Sequence, residues 1–474
     1  MKTNRADLRS FLAEADAAGL TLQIDKPVDV ATEIGALCSE TVRPTVFSNL
    51  RGFDGFQLTD CLIRFRETQA LALGLDRSDP AAVLTGYLGI LARGPGELCT
   101  VDEAPIKDVI WRDRDADLRK LPIPVPSEGL DIPHLGLSEA DFHVPTISGG
   151  MAITSHPDGG QNTFYSMAKV IDATRIHFFM LPGHTSRNIA AWSAKGERCP
   201  MAFVIGCHPA YEIGASYTGP HEGFSELHLI STILGEPVPV IQAETVDLQV
   251  PAMAEIVIEG TIDPDKARYL HMSSHTDTFS PIFSKEPFFD VTAITMRAAP
   301  IYRHIQPNRF TDHHSLSEFI VAMPLLKALR DKGLPVRDVH IPLRSCVNCA
   351  IIQMSASNPA EVREAMLTGL SNPICPRLTI VVDEDIDIYN VEDVLYAVSI
   401  RTDPGQDLAT FNGVRGYPEP LVTRINSPDD ISVTANNRWA IDATKPSLSE
   451  PHRRLEMHRL RARGEHAVKL ADFM

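Results

Sequence analysis

The 474-residue chain contains no hydrophobic run long enough to cross a membrane, because none approaches the roughly 18 apolar residues that a spanning helix requires. Its first twenty residues mix charges with apolar positions and include no continuous apolar stretch, so they do not resemble a secretory signal. We therefore expect a cytoplasmic protein with no membrane partner.

Basic residues are also in the minority. The chain has 44 Lys and Arg against 61 Asp and Glu, which gives a formal net charge of −17. A surface of this sign repels the phosphates of nucleic acids and anionic lipids, so we expect no nucleic-acid partner. An anionic substrate would have to meet a local positive patch. Hydrophobic residues at 44% are typical of globular proteins, and the length predicts two or three domains.

Several catalytic signatures are absent. The chain has no P-loop, no GxGxxG after a strand and no GxSxG, so nucleotide-dependent and serine-hydrolase readings lack support. Eight cysteines without an export signal indicate reduced thiols. Only Cys346 and Cys349 have CxxC spacing, and no second CxxC or HxxxH pair completes a zinc site. This favours a structural role for them over a redox or metal role.

Local patterns predict the first elements. Apolar residues at helical spacing predict an amphipathic helix, for which Asn4 could be the cap: Leu8, Phe11, Leu12 and Ala15. In the segment SHPDGGQN, Gly159 and Gly160 predict a hairpin turn because both can adopt a positive φ. A further helix is expected to start near Glu222.

The order of these patterns predicts three regions and an α+β fold. Helix and strand patterns alternate at the beginning and the end of the chain, whereas residues 144–307 are dominated by strand patterns. We predict an N-terminal α/β segment at 1–115, a central domain at 116–315, and a C-terminal α/β domain with a terminal helix at 316–474.

Three groups of polar residues could bind a cation. Asn162, His184 and Glu226 lie near element ends and offer two oxygens and one nitrogen, a set that suits Mn²⁺ or Mg²⁺ with phosphate oxygens. A structural His with satisfied hydrogen bonds is the alternative. The acidic run 383–387 could bind a cation, cap the next helix or face solvent. The run 312–314, Asp-His-His, resembles metal ligands, but adjacent strand residues point to opposite faces, and helix capping explains it equally well.

Several stretches, in order, resemble the UbiD family of prenylated-flavin decarboxylases. The stretches are ETQALALGL, QNTFYSMAKVID, LPGH, GFSE, ILGEPVPVIQAETVDLQVPAMAEIVIEGTI, VVDEDIDIYNVEDVLYAVSIRTDP and IDATKP. Together they extend over nearly the whole chain. The long series beginning ILGEPVPV is the most specific of them.

The resemblance implies a fold and a cofactor. The fold is a central flavin-binding split β-barrel domain flanked by N- and C-terminal α/β segments. The cofactor is prenylated FMN, supplied by a flavin prenyltransferase, with its phosphate held through Mn²⁺ and with K⁺ nearby. The family's Asn, His and Glu metal ligands match Asn162, His184 and Glu226. The resemblance also implies further cofactor contacts, of which the last is to the phosphate: Thr163, Phe164, Tyr165, Ser166, Met167, Gly183 and Arg377.

The implied activity is that of a carboxy-lyase. It is the reversible decarboxylation of an aromatic, heteroaromatic or α,β-unsaturated carboxylic acid, by a homodimer or larger homo-oligomer. Two alternatives stay open. One is a metal-dependent lyase or hydrolase that uses no flavin. The other is a non-catalytic flavin-binding subunit of a larger complex.

The sequence departs from the family around the reacting carbon. The family places an Arg five residues after the ligand Asn, where this chain has Met167, and two Glu in a stretch that corresponds to 268–277, which contains no Glu. Lys169 shares a strand face with Met167 and could supply a charge for a carboxylate. His275 or Asp277, or His271, could donate the proton. Otherwise Lys169 is solvated, the other residues form an ordinary polar loop, and the substrate is unusual or the chain non-catalytic.

Overall fold

The protein is described here by a computed structural model. The described residues are 7–125, 144–178, 183–217, 225–272, 282–306, 311–372, 376–415, 424–425, 434–460, 462–463, 468 and 473, without the side chains of 264–286 and 415–436. Among the described helices, none is both long and apolar enough to cross a membrane.

The N-terminal segment combines short strands with four helices. They are α1 (Leu8–Ala17), β1 (Leu22–Ile24), α2 (Ile34–Ser39), β2 (Thr45–Phe47), β3 (Gln57–Asp60), α3 (Arg66–Leu73), α4 (Ala82–Leu91) and β4 (Leu98–Thr100). The four apolar residues predicted to form one face of the first helix are all buried. The helix is capped by Asp7, whose carboxylate accepts the backbone N–H of Ser10 at 2.8 Å, rather than by Asn4, which lies outside the described residues.

The centre of the molecule is an antiparallel β-barrel. Its strands are β5 (Val109–Arg112), β6 (Thr146–Ser155), β7 (Gln161–Val170), β8 (Arg175–Phe178), β9 (Cys199–Ile205), β12 (Ile256–Met272) and β13 (Ile282–Met296). The hydrogen-bonded order is β12-β9-β6-β7-β8-β13, and pairing of β12 with β13 closes the barrel, while β5 adds to β13. Large apolar side chains, among them Phe178, Phe203 and Phe289, fill the interior. The predicted α+β class and central barrel are confirmed.

Turns and bulges shape β6 and β7. Gly159 and Gly160 have φ of +108° and +88° in the hairpin that joins the two strands, as predicted. Within β6 the pairing jumps from Ile147 opposite Ala168 to Gly150 opposite Ser166. Two residues of β6 therefore lie opposite one residue of β7, which is the geometry of a β-bulge.

Helices and a small sheet pack around the barrel. These elements are α5 (His184–Ala194), α6 (Pro209–Ala215), α7 (Glu226–Leu234), β10 (Val238–Gln242), β11 (Gln249–Pro251) and β14 (Ile301–Arg303). Helix α5 packs at one end of the barrel, where the indole of Trp192 donates to the Ser155 carbonyl at 2.7 Å. Strand β14 completes a four-stranded sheet with β1, β2 and β3.

The C-terminal part is a second α/β layer. Its helices are α8 (Asp312–Ser315), a π-helix (Glu318–Ala322), α9 (Met323–Asp331), α10 (Pro359–Leu370), α11 (Val391–Arg401) and α12 (Pro451–Glu456). Its strands are β15 (Val336–His340), β16 (Cys349–Met354), β17 (Leu378–Asp383), β18 (Leu408–Arg415), β19 (Arg424–Ile425) and β20 (Thr434–Ala443). The order is β15-β16-β17-β20-β18, and β19 also pairs with β20. The domain boundaries at 115 and 315 stay predictions.

A buried ionic network ties these parts together beneath the barrel. The guanidinium of Arg303 on β14 binds Glu212 on α6 through two hydrogen bonds, at 2.6 and 3.0 Å, and also binds Asp312 on α8. Asp312 in turn accepts the backbone N–H of Leu62 at 2.8 Å. Because every charge has partners, the network can remain in the interior at a tolerable desolvation cost. It fixes α8 against the barrel.

Candidate functional site

The structure brings the predicted metal ligands together at the start of β7. Asn162 is the second residue of β7, and its Oδ1 lies 3.2 Å from His184 Nδ1. The Asn162 amide also donates to the hydroxyl of Thr185 at 2.9 Å. Glu226 is buried, and its Oε2 accepts the backbone N–H of Thr163 at 2.7 Å. Asn, His and Glu thus meet around two consecutive residues of one strand.

Two helix starts aim the ligands at this point. His184 is the first residue of α5 and Glu226 is the first residue of α7, so neither lies where the sequence placed it, before a helix or inside a helix starting near Glu222. The helices begin there because Gly183 and Ser225 occupy the capping positions. The Gly183 backbone N–H, for example, donates to Ser186 Oγ at 2.9 Å. Helix N-termini favour carboxylates and phosphates, because their first N–H groups point outward.

The donor set fits a divalent cation. Two neighbouring ligands of an octahedral ion with bonds of about 2.1 Å lie about 3 Å apart. The separation of 3.2 Å between Asn162 Oδ1 and His184 Nδ1 is of this size. An amide oxygen, an imidazole nitrogen and a carboxylate suit Mn²⁺ or Mg²⁺ better than a soft metal.

Strand β7 divides the predicted cofactor residues between two sides. Phe164 packs toward the barrel interior, with its ring 6.4 Å from that of Phe178. Tyr165 packs on the outside, among the helices, and its hydroxyl donates to the Ser148 carbonyl at 3.2 Å. Because strand side chains alternate, Met167 and Lys169 share the outer face with Tyr165. Phe164 can thus offer only its backbone to a ligand on the outer face.

Lys169 is a buried cation on this outer face. It lies opposite Thr146 on β6 and His177 on β8, and all three side chains are buried. Burial lowers the pKa of Lys169 to about 8, because the charged ammonium loses its hydration. A lysine with such a pKa is still mostly protonated at pH 7.

The other predicted site residues are not joined to this group by any described contact. Arg377 precedes β17 in the C-terminal sheet, and its Nε donates to the Asn437 carbonyl at 3.4 Å. His275 and Asp277 lie outside the described residues. His271 lies in β12, opposite Phe283, but its side chain is not described.

The acidic run 383–387 has structural partners. Arg454 bonds Asp383, and Arg401 bonds Asp385 through two hydrogen bonds. Burial opposes ionisation of Asp385, but hydrogen bonds from Arg401 and Lys445 hold its pKa down at about 2. These carboxylates are therefore neutralised by cations of the chain itself.

The thiol groups also have structural settings. Burial raises the pKa of Cys349, the first residue of β16, to about 12, so the CxxC does not present two reactive thiolates. Among the described residues, Cys38, Asp60 and Cys61 form one group with ligand atoms within 4.8 Å of one another. Asp60 is already bound by Arg64 at 3.3 Å and by the backbone N–H of Gln306 at 2.8 Å. A cation there would compete with a guanidinium.

Sequence reasoning missed a cluster formed by Ser148, Tyr165 and His313. His313 Nε2 lies 2.9 Å from the Ser148 carbonyl, and its ring packs edge-on against Tyr165, with centroids 5.4 Å apart. Thr311 caps α8, which starts at Asp312 and not near Ser315. Two consecutive glycines within a strand pattern, Gly149 and Gly150, were the available signal for the bulge that exposes this carbonyl.

Comparisons with known proteins agree with the geometry. A model of the 3-octaprenyl-4-hydroxybenzoate carboxy-lyase Rift-related domain matches residues 99–310, and a model of the C-terminal domain of the same enzyme matches 314–443. The pyrrole-2-carboxylic acid decarboxylase of Pseudomonas aeruginosa is 24% identical over 446 residues, which are 88% of this chain and 87% of the relative.

Solved structures share the whole fold. The UbiD-class enzyme HmfF from Pelotomaculum thermopropionicum, in complex with FMN, superposes with a TM-score of 0.86 at 27% identity, over 99% of this chain and 100% of that one. An evolved dimeric form of HmfF in complex with prFMN gives a TM-score of 0.82 at 27% identity, with the same shares covered. Because the two domain models match most of the sequence, the chain belongs to the UbiD family of decarboxylases, which are carboxy-lyases.

Proposed function

We propose that the protein is a prenylated-FMN-dependent, reversible decarboxylase of an aromatic, heteroaromatic or α,β-unsaturated acid. The observation that carries this proposal is the meeting of Asn162, His184 and Glu226 at the start of β7. HmfF, the similar enzyme, binds FMN and prFMN, which supports the cofactor. The Pseudomonas relative acts on pyrrole-2-carboxylic acid, which makes heteroaromatic acids the first class to test.

The three ligands would hold Mn²⁺ and, through it, the flavin phosphate, with K⁺ nearby. The N-termini of α5 and α7 add outward-pointing N–H groups that favour an anion at the same place. Beyond the ligands, the outer face of β7, which carries Tyr165 and Met167, and the backbone of Gly183 would line the cofactor. Arg377 remains a proposed contact to the phosphate.

When bound, the prenylated flavin supplies the electron sink that loss of CO₂ from an sp² carbon requires. The tasks of the chain are to orient the acid, to exclude water and to return a proton to the carbon. Lys169 would place a positive charge on the cofactor face at neutral pH. His275 or Asp277 remains the proposed proton donor.

We also propose that the protein works in the cytoplasm as a homodimer or larger homo-oligomer. A dimeric form exists for one similar enzyme, HmfF, after evolution in the laboratory. A flavin prenyltransferase would be the source of the cofactor. Equilibrium sedimentation of the purified protein would test the oligomeric state, and a monomer at micromolar concentration would contradict it.

The enzymatic proposal is tested by anaerobic purification after co-expression with a flavin prenyltransferase. We expect flavin absorbance, release of CO₂ from at least one of pyrrole-2-carboxylate, furan-2-carboxylate and cinnamate, and loss of both in Asn162→Ala and Glu226→Gln. Glu392→Gln, in an exposed first turn of α11, is the matched control and should change neither. A wild-type protein that stays colourless after reconstitution would overturn the proposal.

A further inference from the structure

The bulge in β6 lies directly opposite Met167. Ile147 pairs with Ala168 and Gly150 pairs with Ser166, so Ser148 and Gly149 together face the single residue Met167. This is the position where the family resemblance expects an Arg. No side chain fits on Gly149, because a Cβ there would lie 2.5 Å from the Arg303 carbonyl oxygen. The bulge is therefore built into the packing beneath the outer face of β7.

The bulge frees a carbonyl that a histidine then uses. The Ser148 carbonyl accepts the Tyr165 hydroxyl at 3.2 Å and lies 2.9 Å from His313 Nε2. A carbonyl oxygen has no hydrogen to give, so Nε2 must carry the proton. Any further proton that the imidazole gains is therefore taken up at Nδ1, which is buried.

Helix α8 holds this imidazole firmly and leaves part of it accessible. Asp312 and His314 are buried, whereas His313 between them is partly exposed. Asp312 is fixed by the Leu62 N–H and by Arg303, and Thr311 accepts the backbone N–H of His313 at 3.2 Å. The ring cannot move far without breaking these bonds.

The charged groups packed around the ring are mixed in sign. Tyr165 faces it from β7, and the ionic network lies beneath α8, with Arg303 and Arg64 as cations and Glu212, Asp312 and Asp60 as anions. The carboxylates outnumber the guanidinium groups, so the surroundings do not oppose a positively charged imidazole. An incoming carboxylate would add to this stabilisation.

We propose that His313 binds the carboxylate of the acid substrate, in place of the Arg that the family resemblance expects at residue 167. The inference rests on the proposed function and names the substrate-binding group of that site. The imidazole takes up a proton at Nδ1 as the carboxylate binds, because a buried nitrogen is charged most easily when an anion lies beside it. His313 then acts beside Lys169, which lies two residues beyond Met167 on the same face.

Calorimetric titration of the flavin-loaded enzyme with benzoate tests the inference without any turnover. At pH 7.5 we expect the binding heat to differ between phosphate and Tris buffers, which reveals proton uptake, and benzamide to show no such difference. His313→Gln should abolish the proton uptake and weaken benzoate binding by about tenfold or more, as expected for loss of a charged hydrogen bond. Benzamide binding should stay unchanged.

Two further variants complete the test. His156→Gln, in the exposed hairpin between β6 and β7, is the matched control and should bind benzoate like the wild type. Met167→Arg in the His313→Gln background should restore benzoate binding by returning the cation to the strand. If His313→Gln does not fold, His313→Asn replaces it, and the buffer comparison on the wild type needs no variant.

The outcomes separate this inference from the proposed function. Flavin and metal contents are measured first, and a wild type without flavin refutes the proposed function itself. A flavin-loaded wild type that takes up no proton, or that does not distinguish benzoate from benzamide, overturns the role of His313. Equal benzoate affinity in wild type and His313→Gln overturns it as well, while the decarboxylase proposal would stand.

Discussion

Asp338 should make the protein less stable as pH rises from 4 to 7. This residue lies on β15, where the Tyr389 hydroxyl donates to its carboxylate and Arg66 lies 3.6 Å away. Burial raises its pKa from 3.8 to about 6, and the nearby Arg66 only partly offsets this. The folded protein therefore binds a proton that the unfolded chain has released. Stability is fully present below pH 3.8 and is lost as pH passes through 6.

The magnitude follows from the size of the shift. A difference of about 2.2 pKa units corresponds to about 3 kcal/mol in the free energy of unfolding. About 2 kcal/mol of this falls between pH 4.5 and pH 7.5. Most other carboxylates in the chain change stability in the opposite direction over this range, so the effect must be measured as a difference between variants.

Asp338→Asn isolates the effect, because its amide oxygen still accepts the Tyr389 hydroxyl but does not titrate. Urea denaturation at pH 4.5 and 7.5 should show the variant gaining about 2 kcal/mol relative to the wild type as pH rises. Asp54→Asn, in an exposed turn, is the matched control and should follow the wild type. An identical pH dependence in wild type and Asp338→Asn would refute the reasoning.

Two other substitutions test the barrel and its cofactor face. Gly150→Ala places a Cβ 1.9 Å from the ring of Phe203, so thermal denaturation should reveal a loss of about 1–3 kcal/mol, whereas Gly89→Ala, with open space around it, should cost nothing. Equal stability of the two variants would contradict the described packing. Lys169→Met should raise the denaturation midpoint, because it removes a buried cation, and should lower kcat/KM, because it removes a charge from the cofactor face. An unchanged kcat/KM would remove Lys169 from the proposed mechanism.

The elements that depend on local patterns were predictable from the sequence. The buried face of α1 follows from apolar residues at helical spacing, and the hairpin after β6 follows from two glycines that adopt positive φ. The helix boundaries were less accurate. Glu226 begins α7 because Ser225 takes the capping position, and nothing in the local pattern distinguishes this start from one near Glu222.

The candidate site depended on long-range contacts. Asn162 and Glu226 are 64 positions apart, so their meeting could be predicted only through resemblance to a family. The role of the Asp-His-His run was misjudged, because its surroundings come from β6, β7 and β14, far away in the sequence. Asp312 binds an arginine and His313 binds a strand carbonyl, and neither partner is marked by a motif.

The most direct test of the central claim is the Mn²⁺ content and electron paramagnetic resonance of the anaerobically purified protein. We expect about one Mn²⁺ per chain, bound together with flavin, and loss of both in Asn162→Ala. Glu392→Gln should retain both. Full metal and flavin occupancy in Asn162→Ala, or a wild type that binds flavin and no divalent metal, would contradict the assignment of Asn162, His184 and Glu226.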